Sequence, residues 1–317
     1  MKAKKCTPNQ NATVLKSRTW RRELKENYEL YLFIVPAVAM VLVFNYLPMY
    51  GIQIAFKNFR PIQGIWGSAW VGLKWFNRFF SSAQFWPLIA NTLLLSIYLL
   101  ATFPLPIILA LLFKQYRSKR IQNVLQTVSY APHFISIVVM AGMLNLFLSP
   151  SRGIYGNVVR LFGGVPGNPM GDAELFRSIY VWSDVWQHIG WDSIIFVAAL
   201  SAIDPALYDA AMVDGASRFQ RIIHIEIPSL LPTASILLIM RVGSLMGIGF
   251  DKVYLLQNSL NLSTSEVLST YVYKLGLTGT PQYSYSAAVG LFSTVVNLIL
   301  LTLCNTITRK LNGSSLW

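Results

Sequence analysis

The chain has 317 residues, of which 54% are hydrophobic and only 12% charged, and its mean hydropathy is +0.48. So apolar a balance excludes an ordinary soluble domain of this length. The net charge of +13 sits beside apolar runs and forms no separate basic face, which argues against a nucleic-acid partner. Two cysteines, Cys6 near the start and Cys304 inside the last apolar run, fall in different environments and argue against a disulfide or metal framework.

Residues 1–28 form a basic tail carrying Lys2, Lys4, Lys5, Lys16, Arg18, Arg21, Arg22 and Lys25. The apolar run that follows, Leu30 to Phe56, has no charge and no small-residue cleavage site, so it reads as a retained membrane helix and not a signal peptide. Phe79 to Phe113, Ile121 to Ser151 and Leu275 to Thr308 are also free of charge, and each exceeds the ~20 residues needed to cross a bilayer. Two further spans are apolar but interrupted by isolated charges. The expectation is an all-α membrane protein with six spans, at about 30–50, 86–112, 121–148, 178–202, 229–250 and 284–308. Together they make one transmembrane domain, 29–312, followed by a short tail, 313–317.

Charge sets the topology. Lys114, Arg117, Lys119 and Arg120 fill the link between the second and third spans, and positive residues accumulate on cytoplasmic segments. The tail and this link are therefore inside. With six spans, the link 203–228 and the C-terminus, with Arg309 and Lys310, are inside too. The outer links, 57–84, 149–177 and 251–283, are rich in Gly, Pro and aromatic residues. They read as interfacial anchors, or as a docking surface for an extracytoplasmic partner.

The inner link 203–228 is the most informative segment. Asp204 is a good N-cap, Pro205 suits the first helical position, and Gly215 can take the left-handed C-terminal cap. A second short helix, from about Ser217 to Ile225, should end before Pro228, because the residue preceding a proline resists the helical region. The segment Asp209-Ala210-Ala211, three residues, Gly215, nine residues, then Ile225-Glu226-Ile227-Pro228 resembles the EAA loop of binding-protein-dependent ABC importer permeases. Asp209 stands where that family has Glu, and Ile227 where it has Leu. The resemblance implies the type I ABC importer permease fold. It also implies a loop that docks into a cleft of an ATP-binding subunit through Asp209, Ala210, Ala211, Gly215, Ile225, Ile227 and Pro228.

The segments Glu29 to Pro36, Tyr46 to Gly51, Ile54 to Lys57, and Trp186 with Gly190-Trp191 and Ala198-Ala199-Leu200 are similar to the oligosaccharide branch of these permeases. That branch includes the lipoprotein and polysaccharide permeases and the subunits for oligouronates or alginate. It implies a bacterial plasma (inner) membrane protein, one half of a translocation pathway. Its partners would be a second, distinct permease subunit, two ATP-binding subunits, an extracytoplasmic solute-binding protein and an oligosaccharide, acidic ones included. No phosphate-binding Gly-x-x-x-x-Gly-Lys-Ser/Thr loop occurs, since Gly67 to Lys74 lacks the Gly-Lys adjacency. ATP and Mg therefore belong to the partner ATPase, and no residue set points to catalysis or a metal in this chain.

Ionisable residues inside the spans mark function or a buried pair. In the fourth span Asp184, His188, Trp191 and Asp192 recur at offsets of four, seven and eight, which places them on one helix face. Arg241 is the odd cation of the fifth span. At ~1.5 Å per residue, Asp192 and Arg241 each lie about 16–18 Å from the inner link, so they reach similar depth. Two readings stand: a structural ion pair, or a stripe lining the substrate path with Trp191 offering its face to a sugar ring. Gly243 and Gly247, four apart, favour close helix packing. His133 reads as a satisfied core histidine. The competing class is a secondary transporter driven by an ion gradient, which often carries inverted repeats and broken helices. No repeat is visible, although Pro104 and Pro106 could break the second span. ATP dependence of uptake separates the two.

Overall fold

A computed structural model describes residues 27–116 and 118–312, with side chains to Lys310. The basic tail before residue 27, Arg117 and the tail 313–317 lie outside the described residues. The chain divides into two units, Met1–Gln53 and Ile54–Trp317. Among the described residues all regular structure is helical, apart from one isolated antiparallel bridge between Lys57 and Trp70.

In the first unit, α1 (Tyr28–Val41) runs on through a π turn, Leu42–Tyr46, into 3-10 helix. The π turn closes with Leu47 N–H donating to Leu42 O, and Pro48 follows. A proline has no N–H and its ring collides with the carbonyl four residues back. The wider turn, with its i→i+5 bonding, lets the helix continue past it.

The second unit is a bundle built around α6 (Ala173–Ser201), a helix of 29 residues. Before it come α2 (Phe85–Ala101), α3 (Pro104–Gln115), α4 (Lys119–Tyr130) and α5 (Ile137–Phe147). After it come α7 (Pro205–Val213), α8 (Arg218–Arg221), α9 (Ile227–Val242), α10 (Phe250–Leu256), α11 (Leu268–Leu277) and α12 (Tyr283–Asn312). Among the described residues four stretches are long and apolar enough to cross a membrane: Tyr28–Phe56, Phe85–Gln115, Arg218–Val242 and Tyr283–Lys310. Two bent pairs raise the number to six if each counts as one span.

The helices depart from three of the expected stretches. The stretch 121–148 is not one straight span: a 3-10 turn at Ala131–Phe134 holds Pro132, and the two halves meet at 96°. Ser136 then caps a fresh helix by accepting Val139 N–H. The helix that holds the fourth expected span starts upstream of 178, at Ala173, where Asp172 accepts the N–H of Glu174 at 2.8 Å and caps it. The helix that holds the fifth expected span has other bounds than 229–250. It starts at Arg218, passes Pro228 and Pro232, and stops at Val242. A π turn at Ile222–Glu226, closing with Ile227 N–H on Ile222 O, carries the helix past Pro228 as its counterpart does before Pro48. The helix expected to end before Pro228 is therefore continuous with the span.

Pro104 and Pro106 interrupt the second span only at Thr102–Phe103, and the apolar stretch Phe85–Gln115 continues through the break. Gly190 explains how α6 lies so close to α4: a Cβ there would stand 2.0 Å from the carbonyl oxygen of Ser129. Gly243 approaches α12 in the same way, where a Cβ would meet Leu301 Cδ1 at 2.3 Å, whereas Gly247 has no such neighbour.

The core has three centres. One gathers Leu95, Phe176, Tyr180, Val181, Val253 and Val267; a second gathers Phe79, Leu88, Leu268 and Tyr285; a third, at the end of α6 that leads into α7, gathers Ala110, Phe196, Leu200 and Leu230. The links 57–84 and 251–283 are packed structure and more than anchors. Trp75 donates its Nε1–H to Lys57 O at 3.0 Å, and buried Asn261 donates to the carbonyls of Met170 and Leu256, each at 3.0 Å.

Candidate functional site

Two features carry chemistry. The first is α7. Asp204 accepts the N–H of Ala206 at 2.9 Å through its side chain and that of Leu207 at 3.1 Å through its carbonyl, and Pro205 opens the helix with no N–H to satisfy. The C-terminus is a Schellman motif: Ala216 N–H donates to Ala211 O at 2.9 Å and Gly215 N–H to Met212 O at 3.1 Å. Gly215 has φ 75°, the left-handed region that glycine adopts without the penalty of a Cβ. Ser217 and Gln220 then form a reciprocal capping box at the start of α8. The result is a short, stiff helix set at 69° to α6. Asp209 and Ala210 are exposed on it, Ala211 is half-buried, and Leu207 and Met212 show apolar surface. Ile225 is half-buried while Ile227 and Pro228 are exposed, so these three lie on the continuous helix of the fifth span and not on a separate element.

The second feature is the polar stripe of α6. Arg241 donates through Nη2 to Asp192 Oδ2, which links α9 to α6. The two side chains remain 34% and 30% exposed, so the pair is a lining and not a sealed core contact. Asp184, about two turns nearer the start of α6, accepts from Lys252 Nζ at 3.1 Å, and His188 Nδ1 lies 3.5 Å from the same oxygen. Lys252 is only 6% exposed and stands 4.9 Å from the Tyr180 ring centroid. A cavity of about 260 Å³ is lined by Ser96, Asp184, Arg241, Ser244 and Gly249. Another of about 440 Å³ is lined by Phe103, Asp192, Ile195, Met240 and Arg241. Arg241 borders both.

Trp191 remains 42% exposed on this stripe. His133 stacks on it with ring centroids 4.3 Å apart and planes 1° apart, so one of its two faces is covered. His133 is accordingly no satisfied core residue of a helix. It sits in the 3-10 turn of the third span, its ring 5.3 Å from that of His188, and its Nδ1 is buried without a hydrogen-bond partner.

The structure thus brings Asp184, His188, Trp191, Asp192 and Arg241 into one cluster, and Asp209, Ala210, Ala211 and Gly215 onto α7 and its cap. Sequence reasoning missed Lys252, which had been placed in an outer link. The signal was Asp184 itself, a carboxylate within an apolar stretch with no cation assigned to it. It also missed Tyr208 and Glu226, both inside the motif. Burial and the Glu226 carboxylate push the Tyr208 phenol up to about 12, so it remains a protonated donor throughout the physiological range.

The family described as "Binding-protein-dependent transport system inner membrane component" matches residues 102–313. The chain belongs to that family. This permease is 40% identical to protein LplB of Bacillus subtilis (strain 168), over 96% of each chain. It is 39% identical to the polygalacturonan/rhamnogalacturonan transport system permease protein YteP of the same organism, over 98% of each. Among solved structures, it resembles a chain from the bacterial alginate ABC transporter in complex with an alginate pentasaccharide-bound periplasmic protein. That likeness has a TM-score of 0.86 and 39% identity, covering 94% of this permease and 100% of that chain. The fold is that of a type I ABC importer permease.

Proposed function

We propose that this permease is one of two transmembrane subunits of an ATP-driven importer of oligosaccharides, acidic uronate oligomers included. In this reading six spans cross the inner membrane with both termini in the cytoplasm, and the bent pairs at 96° and 69° each include one span. The helix α7 is the coupling helix. It enters a cleft of an ATPase, with Asp209 facing partner donors and Ala210 and Ala211 allowing close approach. Gly215, Ile225, Ile227 and Pro228 set the path of the chain back into the fifth span. The second permease subunit completes the pathway, two ATP-binding subunits supply ATP and Mg, and a solute-binding protein delivers cargo from outside.

The observation that carries the reading is the doubly capped α7 at the end of the stripe-bearing α6, which ties a rigid docking element directly to a polar cavity. The names of the relatives support the substrate class: one is a polygalacturonan/rhamnogalacturonan permease and another belongs to an alginate transporter. A carboxylate passing through a low-dielectric path needs a nearby cation, and the Arg241 guanidinium, on both cavities, provides one. The test is purification of the chain with its companions, followed by uptake into proteoliposomes. Co-purification of an ATPase and ATP-dependent uptake of a labelled alginate or galacturonate oligomer are expected. Uptake driven by an ion gradient without ATP overturns the machine, and a preference for a neutral oligosaccharide overturns the acidic cargo.

A further inference from the structure

Beneath α7 lies a polar cluster that the docking surface does not use. Glu226, the last residue of the π turn before α9, is only 3% exposed although it is a carboxylate. A buried charge is retained only when it is hydrogen-bonded or paired. Tyr208 of α7 donates its hydroxyl to Glu226 Oε1 at 3.3 Å, and Gln115, the last residue of α3, donates Nε2–H to Oε2 at 3.4 Å. The neighbouring Lys114 donates Nζ to Leu200 O at 2.6 Å, one of the orphan carbonyls at the C-terminus of α6, and stands 4.7 Å from the Tyr208 ring centroid. Four elements that are separate in sequence thus meet at one carboxylate and one lysine. The π turn places one extra residue in the helical register immediately before α9, at the position where Glu226 points inward.

We propose that Lys114, Gln115, Tyr208 and Glu226 form a clamp that fixes the angle of α7 against α3, α6 and α9. Displacement of α7 by an ATPase is then passed to the spans and is not absorbed at the turn 202–204. The only covalent link between α6 and α7 is that turn, whose Asp204 cap orders α7 without touching α3 or α9. These four are positioning residues; none needs to meet cargo or nucleotide. The clamp rests on the reading of α7 as a coupling helix.

The experiment uses the full chain in nanodiscs and, with its co-purified companions, in proteoliposomes. In a Cys6→Ser, Cys304→Ser background, nitroxides on Val213→Cys and Val124→Cys report the α7–α4 distance distribution by electron–electron double resonance. Uptake of a labelled alginate oligosaccharide per ATP hydrolysed is measured on the unlabelled complexes. Tyr208→Phe keeps the ring beside Lys114 and removes only the donor. It should broaden the distribution and lower uptake per ATP roughly tenfold, the effect of losing one bond to a charged acceptor. Gln115→Met should do the same more weakly, and it supplies the measurement if Tyr208→Phe assembles poorly. A distribution as narrow as the parental one in both variants overturns the clamp. Broadening with unchanged uptake per ATP overturns its role in transmission. If the parental chain brings down no ATPase, the coupling reading fails instead, and the distance distribution still decides whether these residues hold α7.

Discussion

The Asp192–Arg241 pair is the contact on which the cavity reading turns, and a double-mutant cycle resolves it. At a charge-assisted separation of ~2.8 Å and an effective dielectric of about 20, the gross attraction is about 6 kcal/mol. Both side chains are about one-third exposed, so water screens part of this, and desolvation of each group offsets most of the rest. A net worth of about 1–3 kcal/mol remains. Arg241→Met leaves Asp192 facing the Phe103 and Met240 side of the cavity without its cation. The cost should be about 2 kcal/mol, read as a fall of roughly 4 °C in the thermal transition of the purified protein in nanodiscs. Adding Asp192→Asn to Arg241→Met should recover most of that loss, because an unpaired charge costs more than none. Transport then separates the two roles of Arg241. If the pair is purely structural, the double variant transports. If Arg241 also meets a cargo carboxylate, the double variant is as stable as the parent and still fails to hydrolyse ATP in response to a loaded binding protein. Strictly additive destabilisation in the cycle would refute the pairing itself.

Three further outcomes follow from the same geometry. Gly215→Val should uncouple ATP hydrolysis from uptake without blocking insertion, at a strain of about 1–2 kcal/mol for a Cβ at φ 75°. A Cβ there meets nothing within 4 Å, so Gly215→Asn, which tolerates the left-handed region, should retain most transport, and equal loss in both would sink the strain argument. Asp209→Lys should weaken retention of the ATPase during purification, more so at low than at high salt, and salt-independent retention at the parental level would count against it. Gly190→Ala should destabilise the fold by about 2–3 kcal/mol, since its Cβ would overlap the Ser129 carbonyl, and an unchanged thermal transition would show that α4 and α6 can separate freely.

What could be read from the chain was whatever is decided within one or two helical turns. The Asp204 cap, Pro205 at the first position and the left-handed Gly215 are local devices, and all three stand where residue chemistry placed them. The stripe on α6 is likewise a matter of helical phase along a single element. Errors came where a neighbouring turn changes the rule. Pro228 does not end its helix because the π turn before it relieves the clash that a regular turn would suffer, and the same device precedes Pro48. Pro132 does break its span, since a 3-10 turn and the Ser136 cap follow in place of a π turn. No propensity separates these cases, because the deciding quantity is the hydrogen-bond register upstream. Partnerships across the bundle were the least legible. Arg241 and Asp192 could be matched by depth, because α7 and α8 join their helices and fix the offset. Lys252 could not be matched to Asp184, nor Glu226 to Gln115, because the links between them have a length and direction that composition does not set. A carboxylate within an apolar stretch nonetheless states that a donor exists somewhere, since its burial alone would be too costly. For Glu226 that requirement selects Tyr208 and Gln115, the two donors through which the proposed clamp would set the angle of α7.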